Sequence, residues 1–169
     1  MSGYQFDRLR ILIVDDNPHM RKLICVVLQA FGVVHILESA NGEDALSKLR
    51  TNPCDIVLLD WVMPGMSGLN LARCIRDTEK SPNPFLPIII LSGHTAIEHV
   101  RAARDAGINE FLAKPISAKT LLSRLQSIIE YPRPFIKTGV YFGPCRRRRR
   151  DTPYMGAERR TDEANLDAA

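Results

Sequence analysis

With 169 residues, 45% of them apolar, the chain suits one soluble domain of about 100–150 residues plus an appendage, because so short a length rarely divides into two full cores. Its 23 basic and 19 acidic side chains leave a formal charge of +4, and no apolar run approaches the roughly 20 residues of a membrane span. The opening MSGYQFDRLR sets Asp7, Arg8 and Arg10 ahead of four apolar residues, too few for a secretory leader, so a cytoplasmic location is expected. Cys25, Cys54, Cys74 and Cys145 lie too far apart for the spacings of zinc or redox motifs, and reduced thiols are expected.

Strand-like and helix-like periods then alternate five times. Ile11 to Val14 is too short for a helix and is stopped by two aspartates, which marks a buried strand. Asn17 offers an N-cap and Pro18 a preorganised first position for a helix with Met20, Leu23, Ile24, Val27, Leu28 and Phe31 at helical spacing, ended by Gly32. Val34 to Leu37 reads as the second strand. Asn41-Gly42 opens a helix carrying Ala45, Leu46 and Leu49, which Asn52-Pro53 stops. Ile56 to Leu59 repeats the first strand's character, and Ser67-Gly68 starts a helix with Leu69, Ala72 and Ile75 inward. After a proline-punctuated loop from Ser81 to Pro87, Ile88 to Leu91 is the fourth strand, Thr95 to Ala106 a helix ended by Gly107, and Glu110 to Ala113 a short fifth strand. Ser117 to Glu130 closes the series as a helix burying Leu121, Leu122, Leu125 and Ile128.

Continuous apolar strands separated by helices imply a parallel sheet covered on both faces, the doubly wound α/β architecture, whose sites lie beyond the carboxyl ends of the strands. That rim presents Asp15 and Asp16 after strand one, Asp60 after strand three, Ser92 after strand four and Lys114-Pro115 after strand five. Three carboxylates at one edge repel one another, and an all-oxygen set selects a hard divalent cation such as Mg²⁺. Lys114 and Ser92 add an ammonium and a hydroxyl suited to a phosphoryl group. A lone aspartate at a strand end is ordinarily a cap or turn residue; five such groups on one rim are not explained that way. A glycine-rich phosphate loop, a Ser-His-Asp order and HExxH are all missing from this region.

The strings ILIVDDNPHMRKLI, IVLLDWVMPGMSGLNLARCIR, IIILSGHT and FLAKPIS, in that order over roughly Arg10 to Tyr131, resemble the receiver domain of two-component response regulators of the chemotaxis type. The resemblance implies a flavodoxin-like sheet of order 2-1-3-4-5 with five helices, and a receiver over residues 8–131. It implies that Asp60 accepts a phosphoryl group from a histidine kinase or phosphotransfer protein. Asp16, Asp60 and the Val62 backbone carbonyl would hold Mg²⁺, with Asp15 acting mainly through metal-bound water, while Ser92 and Lys114 would read the phosphoryl oxygens. Such a protein catalyses only its own phosphorylation and dephosphorylation, so it is not an enzyme in the usual sense. Pro115 matches the family's cis-proline. Ser92 and Phe111 match a hydroxyl and an aromatic that swing inward on phosphorylation; Phe111, lacking a tyrosine hydroxyl, reads equally as a fixed core residue. Of the residues overlooking the site, apolar Val62 cannot position water and His94 can. His19, His35 and His99 read as ordinary surface or helix residues.

All of the net charge belongs to the last 39 residues, which hold nine basic and five acidic side chains. With few apolar residues and prolines at 132, 134, 144 and 153, residues 132–169 are expected to be an extended or largely disordered tail with no core of its own. It cannot supply a helix-turn-helix, and no specific DNA binding is expected. YFGPCRR at Tyr141 to Arg147 and YMGAERR at Tyr154 to Arg160 share Y-x-G-x-x-R-R at an offset of 13 residues. Arginine forks bind phosphate and pair with the O6/N7 edge of guanine, and tyrosine and guanidinium planes stack on bases. The tail resembles the arginine-rich extensions of chemotaxis-type receivers that bind cyclic di-GMP and act on the flagellar motor switch. That resemblance implicates Tyr141, Arg146, Arg147, Arg148, Arg149, Arg150, Tyr154, Arg159 and Arg160. The PilZ-type RxxxR at Arg146 to Arg150 lacks its companion DxSxxG and its barrel. The alternative is a relay or stand-alone receiver whose tail is a solvated or nonspecific polyanion-binding segment.

Overall fold

The structure, a computed structural model, describes residues 6–147 and the backbone of residues 164–166. A short 3-10 turn at Phe6–Arg8 leads into β1 (Arg10–Val14), α1 (Pro18–Ala30), β2 (His35–Ser39), α2 (Gly42–Thr51), β3 (Ile56–Asp60), α3 (Gly68–Arg76), β4 (Ile88–Ser92), α4 (Ile97–Asp105), β5 (Glu110–Ala113) and α5 (Ala118–Glu130). The five strands form one parallel sheet in the order β2-β1-β3-β4-β5.

Side chains on a strand alternate faces, and in this sheet both faces are dry. Leu12, Val14, Val57, Leu59, Ile88 and Ile90 pack with Ala45 of α2, Leu71, Ala72 and Ile75 of α3, and Ala103 of α4. Ile11, Ile13, Ile56, Leu58, Ile89, Leu91 and Leu112 pack with Ile24 and Leu28 of α1 and Leu121 and Leu125 of α5. The unbroken apolar runs of β1, β3 and β4 thus supply two cores from one sequence signal.

The helix starts follow from side-chain caps. Asn17 Oδ1 accepts from the backbone N–H groups of His19 and Met20, Asn41 Oδ1 from that of Asp44, and Ser117 with Thr120 closes a capping box. Two boundaries lie two residues from expectation. The second strand runs from His35 to Ser39, because its register on β1 pairs Val14 with Ser39, and Val34 before it is exposed. Helix α4 begins at Ile97 rather than Thr95; its cap position is Ala96, which has no side chain with which to cap, and of its nine residues only Ala103 is buried.

Within the expected tail, residues 133–147 are more ordered than expected. Residues 135–137 (β6, Phe135–Lys137) and 142–144 (β7, Phe142–Pro144) form an antiparallel hairpin, with Thr138 N–H donating to Tyr141 O at 2.8 Å, and β8 (Ala164–Leu166) pairs with the other edge of β6. The hairpin has no core of its own and borrows the receiver's. Phe135, Ile136 and Tyr141 are buried, and the rings of Phe135 and Phe142 meet Phe85 of the α3–β4 loop at centroid distances of 5.2 and 5.3 Å. Arg133 donates to Asn109 O and Cys145 O. Gly107 and Gly143 let the two backbones touch: a Cβ on Gly143 would lie 2.8 Å from Gly107 Cα. All these partners sit at the amino ends of β4 and β5, the end of the sheet remote from the acidic rim.

Candidate functional site

The rim assembles four of the five expected groups in space, Asp15, Asp16, Asp60 and Lys114. Asp15 follows β1 and is fully buried; its Oδ1 accepts the Asn17 backbone N–H at 2.8 Å and its carbonyl accepts Arg21 Nη1 at 2.7 Å. Asp60 ends β3, and the chain after it is held by Trp61 N–H donating to Leu91 O at 2.9 Å and Gly68 N–H donating to Trp61 O at 3.0 Å. A side chain on Gly68 would strike the Asp60 carbonyl, so α3 can start this close only with glycine there. Lys114, held after β5 by its N–H donating to Ser92 O at 2.8 Å, reaches across with Nζ 2.8 Å from Asp60 Oδ1 and 3.3 Å from Asp15 Oδ2. The peptide bond from Lys114 to Pro115 is cis.

Carboxylate oxygens of Asp15, Asp16 and Asp60 lie within 4.8 Å of one another, with Asp16 exposed and the other two buried. Burial raises the Asp60 carboxyl above its usual range; the Lys114 hydrogen bond opposes this, and the charges of Asp15 and Asp16 reinforce it. Burial alone would lower the Lys114 ammonium, yet its contacts with Asp60 and Asp15 outweigh that and raise it. One ammonium facing three carboxylates leaves the pocket net negative, and a hard cation relieves that excess. The donor set is all oxygen, so the residues fit a Mg²⁺-type ion.

Ser92 is placed otherwise. Its hydroxyl donates to His94 O at 3.1 Å and accepts the His94 N–H at 3.0 Å, so it is turned into its own loop rather than toward the carboxylates. Val62 follows Asp60 on the next loop with an exposed side chain. Phe111 is half-buried against the core. His99, expected to be unremarkable, is not: its ring lies between Trp61 (4.9 Å) and His94 (5.3 Å, stacked), and its Nδ1 is buried without a hydrogen-bond partner among the described residues. No periodicity announces this stack, because its members come from two loops and α4. The four cysteines are free, and burial pushes the Cys25 and Cys54 thiols up to about 11, which leaves them unreactive at neutral pH.

A response regulator receiver domain matches residues 11–126. The chain belongs to that family. It is 33% identical over 122 residues to the chemotaxis protein CheY of Pseudomonas aeruginosa, covering 72% of this chain and 97% of that protein. It is 35% identical over 122 residues to CheY-3 of Vibrio cholerae, covering 72% and 92%. Among solved structures, CheY4 of Vibrio cholerae superposes with a TM-score of 0.66 at 29% identity, over 71% of this chain and 98% of that one. The receiver domain of the Francisella response regulator 1452 gives 0.65 at 25%, over 73% and 98%. The protein is thus a CheY-like receiver, and the acidic cluster is a pocket of the kind in which receivers generally bind Mg²⁺. The family match ends before the hairpin begins.

Of the expected tail residues, Tyr141 is buried, with its hydroxyl donating to Pro144 O at 2.8 Å and the Arg146 guanidinium 4.2 Å above its ring. Arg146 also pairs with Asp105 at 3.2 Å, and Arg147 is exposed. Arg148, Arg149, Arg150, Tyr154, Arg159 and Arg160 lie outside the described residues. The residue that sequence reasoning missed is Arg76, the last of α3. It is buried, and donates to Gly107 O, Pro84 O, Leu86 O and Asn109 Oδ1 at 2.7 to 2.9 Å. Burial lowers its pKa, and the guanidinium remains charged at neutral pH.

Proposed function

We propose that the protein is a phosphorylation-controlled signalling receiver in which Asp60 takes a phosphoryl group from the phosphohistidine of a kinase or phosphotransfer protein. The observation that carries the reading is the contact of Lys114 with Asp60 at 2.8 Å beside the carboxylates of Asp15 and Asp16. A carboxylate oxygen of Asp60 bonds to phosphorus as the phosphorus–nitrogen bond breaks, and the imidazole leaves with its electron pair and takes a proton. Lys114 is placed to follow the developing oxyanion, and the buried walls around Asp60 keep its field unscreened. Asp15, Asp16, Asp60 and the Val62 carbonyl would hold Mg²⁺, which when bound neutralises phosphoryl charge. Ser92 would read a phosphoryl oxygen after leaving His94. The reaction is self-catalysed on one residue, with no exogenous substrate turned over. Acetyl phosphate with Mg²⁺ should add one phosphoryl group to the wild type and none to Asp60→Asn; equal labelling of both overturns the reading.

For output, the doubled Y-x-G-x-x-R-R motif is the basis for reading a tail that binds cyclic di-GMP and promotes docking to a partner such as the flagellar motor. Because the hairpin borrows the receiver core, the test compares the full chain with one ending at Arg147 rather than one cut at Glu130. Equal affinity of the two for cyclic di-GMP removes residues 148–169 from the binding site. The engagement of Tyr141 and Arg146 within the fold favours a second reading, in which the first copy of the motif is structural and the tail a general polyanion binder. Affinity that falls steeply with salt and ignores base identity would select it.

A further inference from the structure

The last residue of α4 sits between two arginines. Arg104 Nε lies 3.5 Å and Arg146 Nη2 3.2 Å from the same oxygen, Oδ1, of Asp105. Arg146 is not free to follow the carboxylate wherever it goes: its guanidinium rests 4.2 Å above Tyr141, whose own hydroxyl is tied to Pro144 O, and its Nε is buried without a hydrogen-bond partner among the described residues. One guanidinium is therefore fixed on the hairpin and one is carried on α4, and a single carboxylate, about half exposed, bridges them. Two cations around one anion leave an uncompensated positive charge. Exposed Arg101, one turn earlier on α4, adds to it.

We propose that Arg104 and Arg146 form a phosphate-binding site, with Tyr141 as its floor, and that Asp105 is its built-in occupant, displaced when a phosphodiester of the tail's dinucleotide ligand arrives. The proposal rests on the tail reading given above for the dinucleotide, and on geometry alone for the phosphate. A phosphodiester carries the same single charge as Asp105 but offers two non-bridging oxygens in a geometry that matches paired guanidinium forks. Exposed carboxylate–guanidinium pairs are weak, so displacing Asp105 costs little. The fixed stack on Tyr141 means that Arg146 loses little freedom on binding. Arg104 thereby enters the recognition set although it lies outside the tail and outside the repeated motif.

The test uses the full chain and two probes, cyclic di-GMP and inorganic pyrophosphate, titrated by calorimetry at fixed salt. Asp105→Asn should tighten both by about threefold or more and Arg104→Gln should weaken both by about tenfold, a charge-assisted contact's worth. Lys119→Gln, which removes a charge from the surface of α5, should change neither. The sites are exposed, so all three variants should keep the wild-type unfolding midpoint. The proposal falls if Asp105→Asn and Arg104→Gln leave both affinities at wild type, or if Lys119→Gln matches Arg104→Gln. Pyrophosphate binding that responds as expected while cyclic di-GMP does not bind keeps the phosphate site and removes the dinucleotide reading; binding of neither removes both.

Discussion

The guanidinium of Arg76 lies 5.0 Å from the centroid of the Phe135 ring, so a cation inside the receiver is roofed by a side chain from beyond its last helix. Four oxygen acceptors satisfy the edge of the guanidinium, and the aromatic face covers its plane. Phe135→Ala should therefore cost about 3–5 kcal/mol, the range for emptying a buried aromatic site, and would also hydrate Arg76. Urea unfolding of the full chain measures it. A loss below about 1 kcal/mol would mean that the hairpin is an ornament.

Lys114→Ala should leave the fold intact, because the ammonium is partly exposed and its strand is held by backbone pairing, yet lower the rate of phosphoryl transfer to Asp60 by about 100-fold or more, the scale of one lost charge-stabilising donor. Chelating the divalent cation should abolish transfer in the wild type. Phosphoprotein gels or mass spectrometry read both outcomes, and an unchanged rate in Lys114→Ala would remove that residue from the machinery.

Trp61 is the chain's one tryptophan and follows Asp60 directly. Its emission should shift on titration with Mg²⁺ and saturate as a single site. Asp16→Asn should weaken that titration by about tenfold or more, since it deletes one of three converging carboxylates. His99→Ala, which removes the ring packed on the indole, should change the starting emission and leave the Mg²⁺ midpoint where it was.

Much of this was legible in the amino-acid order. Ile11 to Val14, Ile56 to Leu59 and Ile88 to Leu91 read as strands buried on both faces, and the aspartates after the first two, with Lys114 after the fifth strand, then meet at one rim. Arg76 was illegible because a cation in the last turn of a helix is ordinarily a solvated dipole partner, and nothing local says that carbonyls from Pro84, Leu86 and Gly107 will surround it. The hairpin was hidden for a related reason: Phe135, Tyr141 and Phe142 are too few to make a core, and enough to complete one. Ser92 was placed on the right loop, but the turn of its hydroxyl toward His94 is a rotamer choice that no pattern encodes.

The bottom of β1 offers a pH test. Arg10 grips Asp55 through its backbone N–H, Nε and Nη2 at 2.8 to 3.0 Å, and this hydrogen bonding holds the Asp55 carboxyl below its usual range against the pull of burial. A carboxyl lowered in the folded state stabilises above its unfolded value, near pH 4, and loses that contribution as the pH falls through the folded value. Asp55→Asn should thus lower the urea midpoint modestly at pH 7, and the gap to wild type should close below about pH 4. A gap that did not narrow at all as the pH fell from about 5 to about 2 would show that shape rather than charge matters there.

The hairpin docks at the amino ends of strands four to five residues long, so about 13–17 Å of packed sheet stands between its arginines and the aspartates at the far rim. That span is several times the reach of an ion pair, and Coulomb attraction weakens with separation. Arg133 and Arg146 cannot act as surrogate counter-ions for the acidic pocket and poison it against its metal. The acidic rim and the hairpin's arginines thus share one chain without meeting, and the length of the strands is the spacer that keeps them from neutralising each other by direct contact.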